Sequence, residues 1–378
     1  MHFSVLCAVP MPQDVSAVIN AVPVDVVTGY TNRKLFMKRL FEDKKLIHPK
    51  ASSELIEMER WECYVEGLLE KLLAPYDENT TDCDFLEFCD QSEEGRKAYE
   101  QDCIDCVRTP DGRIISCHAY EFSRRYKLHD GKVYRRSFGV LHHQKRTKKS
   151  KKYLPLPNYP LQKLYPTFDS FMTEHWGCGA EKETGGYGYY TNPYGQWDWW
   201  QVGGRWPLCF LVKNDCASAV VGEPACSSKE QSKQEAPDGY RWVAGARKCD
   251  IAWEVMKEFK RKKYTEQFHR YEEWFATGVI PEEYANKVRL TQDGIVSFGD
   301  CLYRNGETLE QHLNKLGISD QNPYPIDTFA YVDADDWNDH GWGHESSADK
   351  AQAWFNEVAE FISQQPDETL LVSVDCHT

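Results

Sequence analysis

The amino-acid sequence predicts an α+β protein: a mixed, mostly antiparallel sheet with helices packed on one face, plus an inserted helical segment and a hairpin. Three observations carry this expectation. Apolar runs of strand length stand near both ends, over residues 2–9 and 369–374. Apolar residues recur at helical spacing at Trp253, Met256, Phe259, Tyr264, Phe268, Tyr271 and Phe275, and again at Trp354, Phe355, Val358, Phe361 and Ile362. Between them lies an aromatic ribbon, GGYGYYTNPYGQWDWWQVGGRW, over residues 185–206.

The elements follow in order. Residues 2–9 read as a buried strand ended by Pro10. Residues 11–50 read as irregular, with a short strand at 24–27 and a helix at 34–41. Ser53 caps a helix running to about Leu73, with Trp61, Val65, Leu68, Leu69 and Leu72 on one face, and Pro75 forbids its continuation. A helical stretch at 93–102 precedes strands at 113–126 and 132–141, joined by Asp130-Gly131, a strong hairpin signal. Thr167 caps a short helix that Gly177 closes. The ribbon then reads as strand, turn and strand: 187–190 and 196–202 around Thr191-Asn192-Pro193-Tyr194-Gly195. A strand at 208–212 and a long polar loop at 213–239 follow. Asp250 caps the long helix that Gly278 stops, and Thr308 with Gln311 forms a capping box. Strands at 328–332 and 369–374 flank the last helix. This divides the chain into a main domain, 1–10 with 153–378, and an inserted segment, 11–141. The basic connector HHQKRTKKSKK at 142–152 separates them.

Composition bounds the function. Asp and Glu number 59 against 45 Lys and Arg, a net charge of −14, which argues against a broad nucleic-acid face. Loop 142–152 is the local exception, suited to a phosphate backbone or an acidic partner. No apolar run approaches the roughly 18 residues of a membrane span. Fourteen irregularly spaced cysteines and no signal-like start point to reduced thiols in the cytoplasm, without a disulfide framework. Phosphate-loop, serine-elbow and kinase signatures do not occur.

Strand alternation places Trp197, Trp199 and Gln201 on one face and Asp198, Trp200 and Val202 on the other. Asp198 beside apolar neighbours is neutralised, paired or in a wet cleft. Arg205, after Gly203-Gly204, is its nearest partner in sequence. The run reads as a Trp-rich core hairpin with an Asp198–Arg205 ion pair. The alternative is the wall of a ligand site, with Asp198 and Arg205 in it. There Gly203, Gly204 and Arg205 receive an anion, while Trp197, Trp199, Trp200 and Tyr190 supply ring surface.

Metal candidates are fewer. Cys103 and Cys106 form a knuckle that Cys117 and His118 would complete as structural zinc, although strand alternation would turn Cys117 and His118 apart. Asp375 and His377 share a face at the end of the last strand. His2 joins them if the terminal strands pair, giving a set suited to a divalent metal or to acid–base chemistry. Ala74-Pro75-Tyr76-Asp77-Glu78-Asn79 reads as a cation or sugar-hydroxyl site, or as a surface turn. The acidic run 333–339 lacks the glycine of an EF-hand, and His340 and His344 sit among glycines that oppose a helix.

YTNPYGQWDWWQVGGRW resembles the signature of a family of bacteriophage and bacterial proteins of uncharacterised activity. MHFSVL, LLAPYDEN, ARKCDIAWE, TFAYVDADDW and LLVSVDCHT fit it in the same order along the chain. The resemblance implies an origin, with host cytoplasm as the setting for a phage protein, and implies no mechanism. Against its pattern, residues 11–70 look like an insertion. Three functions compete. The first is an anionic small-molecule or nucleotide binder, in a phage setting a signal sequestrant or block to host defence. The second is a metal-dependent phosphoester hydrolase using Asp198, Asp375 and His377. The third is a non-catalytic interaction protein with a host protein as partner.

Overall fold

The fold is described from a computed structural model, over residues 1–43, 50–109, 112–129, 132–137, 140–143, 155–182, 184–224, 235–297, 300–341 and 348–378. It is α+β, and the chain separates into two compact units, residues 1–78 with 194–378 and residues 79–193. The sequence had placed the divisions at 10/11 and around 142–152. Residues 11–78 instead belong with the terminal strands, because their helices cover one face of the main sheet.

That sheet belongs to the first unit and has seven strands among the described residues. Its centre is the antiparallel pair His2–Val9 and Leu370–His377, in register from His2 opposite His377 to Val9 opposite Leu370. Ala330–Val332 lies parallel to the first strand, followed by Trp337–Asp339. On the other side the last strand pairs with Trp199–Gly204 near its end and with Gly245–Arg247 near its start.

Both central strands are buried on both faces, which is why they read as unbroken apolar runs. Phe3, Val5, Cys7, Val372, Val374 and Cys376 pack with Val65, Leu69 and Leu73 of the helix Arg60–Leu73. Leu6, Ala8 and Leu371 point the opposite way, onto Met256 of the helix Trp253–Thr277 and onto Trp354, Val358, Phe361 and Ile362 of the helix Ala348–Gln364. Each large aliphatic side chain so buried is worth roughly 1.5–3 kcal/mol. The outer half of the long helix has its own core: Phe268, Tyr271 and Trp274 pack on Ile295 and Tyr303.

Several local expectations change. Val24–Asp43 is one helix, so the Val24–Val27 segment is its first turn rather than a strand. Ser52, not Ser53, caps the helix Ser53–Met58, whose Leu55 N–H its hydroxyl accepts, and Glu59 interrupts the run before Arg60–Leu73. Asp250 does not cap the long helix; Ala252 stands at that position, and the Asp250 carboxylate instead receives the Ser218 hydroxyl and Arg247. Gly278 closes that helix with φ 70°, and both halves of the Thr308–Gln311 capping box are present.

The second unit is built from small sheets. Tyr187–Thr191 pairs with Glu87–Asp90 and Gly179–Ala180. Cys103–Arg108 pairs with Ile114–Ser116 and Pro155–Pro160. Tyr126–His129, Lys132–Ser137 and Val140–His143 form a third sheet. The strand expected over 113–126 is therefore a short strand followed by the helix Tyr120–Arg125. Leu161, Phe171, Met172 and Cys178 form one core here, and Val107, Phe122 and Tyr126 another.

The expected ribbon hairpin does not form. Tyr187–Thr191 and Trp199–Gly204 are strands of different sheets, and the unit boundary falls in the Pro193–Tyr194 turn between them. Trp199–Gly204 pairs with the longer last strand, Tyr187–Thr191 is flanked by strands on both sides, and a two-strand ribbon alone is marginal. Most of the basic connector, residues 144–152, lies outside the described residues, as does His344.

Candidate functional site

One end of the main sheet carries polar side chains where the core face runs out. Along the first strand that face reads Ala8, Leu6, Ser4, His2; along the last it reads Leu371, Ser373, Asp375, His377. The Trp199–Gly204 strand adds Trp199 opposite His377 and Gln201 opposite Asp375. Asp375 and His377 thus share a face, and pairing of the terminal strands brings His2 beside them.

Asp375 is fully buried. One oxygen, Oδ1, accepts the His2 Nδ1–H at 2.9 Å, and the other accepts the Arg205 backbone N–H at 2.9 Å. A buried carboxylate needs such partners, because each missing one costs desolvation without return. Gly203 and Gly204 have φ 76° and 49°, and this paired left-handed turn aims the Arg205 N–H at the carboxylate. A Cβ on Gly204 would overlap the Cβ and Oδ2 of Asp375. The anion received by the Gly-Gly-Arg backbone is therefore the chain's own Asp375.

The second pair lies alongside. His377 Nδ1–H donates to Asp198 Oδ1 at 2.8 Å, and the Asp198 N–H donates to the His377 carbonyl at 2.8 Å. Asp198 is thus bonded to His377, and the expected Asp198–Arg205 ion pair does not form; the Arg205 side chain is exposed. The two imidazoles meet edge to face with centroids 4.9 Å apart. Because carboxylates only accept, each ring carries its Nδ1 proton there and keeps Nε2 for other work. Trp199, 45% exposed, stands edge-on to His2 at 6.0 Å.

The other tryptophans divide differently from simple alternation. Regular pairing with the last strand begins at Trp199, so Trp197 precedes it. Trp197 is buried, donates its indole N–H to the Leu73 carbonyl, and joins Trp200 and Val202 in the core under the helix Arg60–Leu73. It supplies no ligand surface. Tyr190 belongs to the second unit, where its ring lies 5.3 Å from Phe88.

As metal ligands, His2, Asp375 and His377 do not gather. The Nδ1 atoms of His2 and His377 face separate carboxylates, Asp375 and Asp198, and the one trio of converging donors among the described residues is Asp105, Cys117 and His118. Cys103 is exposed and Cys106 buried, and neither belongs to that trio. In the segment Ala74–Asn79, Glu78 accepts the Thr378 hydroxyl and Tyr76 packs on Trp337. The acids of 333–339 turn onto backbone: Asp333 accepts from the Asp335 and Asp336 N–H groups, and Asp339 from Gly341. Of the basic run Lys260-Arg261-Lys262-Lys263 on the long helix, Lys260 donates to the Pro325 carbonyl and Arg261 pairs with Asp320.

No known protein family, curated protein or solved structure matches this chain. No helix among the described residues is long and apolar enough to cross a membrane.

Proposed function

We propose that the paired His2–Asp375 and His377–Asp198 dyads bind a phosphoester-bearing ligand and cleave it by general acid–base catalysis, with Trp199 as a stacking surface for a planar group such as a base. The observation that carries this is the pair of imidazoles 4.9 Å apart, each with Nδ1 anchored by a carboxylate. The anchors fix tautomer and orientation, which leaves two Nε2 positions on one rim. One ring without the Nε2 proton takes a proton from the attacking hydroxyl or water. The other, carrying it, donates to the leaving oxygen. Each such transfer contributes on the order of 10²–10⁴ in rate. The separate orientation of the pairs favours this over a shared metal.

The test is hydrolysis of an activated phosphodiester, bis-p-nitrophenyl phosphate, and of nucleoside cyclic phosphates, with EDTA present. Turnover that falls about 10²-fold or more in both H2Q and H377Q, with folding intact, supports the reading. No turnover of any of these by the wild type, or turnover in either variant equal to that of the wild type, overturns it. Trp199 also favours a second reading, binding without turnover. In that case a nucleotide quenches the fluorescence of the wild type and not of W199A, while no product forms.

A further inference from the structure

In the second unit the Asp105 carboxylate, the Cys117 thiol and a His118 ring nitrogen lie within 4.8 Å of one another. Two local irregularities bring them together. The register of Cys103–Arg108 against Pro155–Pro160 shifts between Ile104 and Cys106: the extra residue lies on the partner strand, where Pro157 and Asn158 face Asp105 alone, so the regular ladder is interrupted at Asp105. Cys117 and His118 follow the strand Ile114–Ser116 in a turn, so the alternation that would send adjacent side chains apart does not apply. The turn is pinned: the Cys117 N–H donates to the Asp105 carbonyl at 3.0 Å and the His118 N–H to the Ser116 hydroxyl at 3.1 Å.

From this convergence we infer that Asp105, Cys117 and His118 form a binding site for a zinc-class divalent ion, with a fourth position left for water. Oxygen, sulfur and nitrogen are all zinc donors. A tetrahedral ion with bonds of about 2.0–2.3 Å needs its ligands roughly 3.5 Å apart. A spread of at most 4.8 Å therefore closes with side-chain adjustment of about 1 Å. On binding, Cys117 loses its proton to solvent and the thiolate takes the metal. Cys106 is buried and stands outside the converging trio.

The experiment uses the full chain, stripped with chelator and titrated with cobalt(II), then with zinc. The expected result is one equivalent of tetrahedral cobalt, with visible bands and a thiolate-to-cobalt band in the near ultraviolet, bleached by zinc. C117S removes the thiolate band; H118A and D105N, at exposed positions, weaken binding at least tenfold; C103S changes nothing. A wild-type protein without the thiolate band, or a C117S protein that keeps it, overturns the inference. If C117S misfolds by circular dichroism, H118A decides: undiminished cobalt affinity there is equally fatal. H377Q retains the cobalt spectrum whatever becomes of the acid–base reading, so the two proposals fail separately.

Discussion

The His2 imidazole and the Asp375 carboxylate, 373 positions apart in sequence, meet at 2.9 Å across the ladder between the first and last strands. The bond is at once a tether for the imidazole and one of two polar partners that let a carboxylate sit fully buried. Removing the acid should therefore cost more than removing the histidine. D375A is expected to lose about 3 kcal/mol, by leaving His2 and the Arg205 N–H without their acceptor, and D375N about half that. Urea midpoints check this. In a double-mutant cycle, D375N and H2Q should couple by about 1 kcal/mol or more; additive losses would mean that the contact contributes nothing.

Gly204 should tolerate no side chain. G204A places a methyl group against Asp375 while holding a left-handed φ of 49°. Strain and overlap together predict a loss of about 3 kcal/mol. G278A also holds a left-handed glycine, φ 70°, but with open space around it, so it should lose only the backbone share, about 1 kcal/mol. Equal losses in the two variants would show that the Asp375 contact is immaterial.

The terminal strands were legible because both are buried on two faces, and continuous apolar runs at 2–9 and 369–374 leave little alternative. That legibility reached the site: once the strands pair, alternation alone puts His2, Asp375 and His377 on one face. Asp198 was legible as a carboxylate needing a partner. Its partner was not, because Arg205 is near in sequence while His377 is near only through the sheet. The ribbon failed as a hairpin for a related reason: turn residues at 191–195 mark a reversal equally well whether the flanking strands pair together or with others. Asp105 was missed since the bulge that faces it lies on the partner strand, about fifty residues further along the chain, and the turn at Cys117–His118 lacks glycine or proline to announce it.

The tryptophans give a sharp contrast. Trp197 is buried with its indole N–H bonded to Leu73, whereas Trp199 is 45% exposed. W197A should cost about 3–5 kcal/mol and W199A less than about 1. Thermal unfolding of both distinguishes them, and a large loss in W199A would show that it is a core residue rather than a free ring face.

Thiol reactivity should follow burial. The thirteen described cysteines are free. Burial pushes the thiols of Cys7 and Cys376 well above their ordinary value, and the Cys7 and Asp375 charges push Cys376 further. Iodoacetamide at pH 8 should label exposed Cys83, Cys103 and Cys301 in the native protein and spare Cys7 and Cys376, which react only after denaturation. Peptide mapping reads the pattern; early labelling of Cys376 would mean that the sheet end opens readily.

Acid sensitivity should centre on Glu307. Burial alone would raise its carboxyl above the ordinary 4.5, but His312, Lys315 and the Arg304 N–H together hold it down at about 2. Lys315 Nζ stands 2.8 Å from Oε1, the Arg304 N–H donates to Oε2 at 3.1 Å, and His312 Nδ1 lies 3.6 Å from Oε2. A carboxyl with a depressed folded value stabilises the protein above its unfolded value and ceases to do so as pH falls through the folded one. E307Q should therefore be less stable than the wild type by about 2 kcal/mol at pH 7. That gap should narrow steadily between pH 4.5 and about 2. Urea unfolding at a series of pH values measures it. A gap that stays constant down to the acid limit would mean that Glu307 acts through packing, and that its ionisation is not linked to folding.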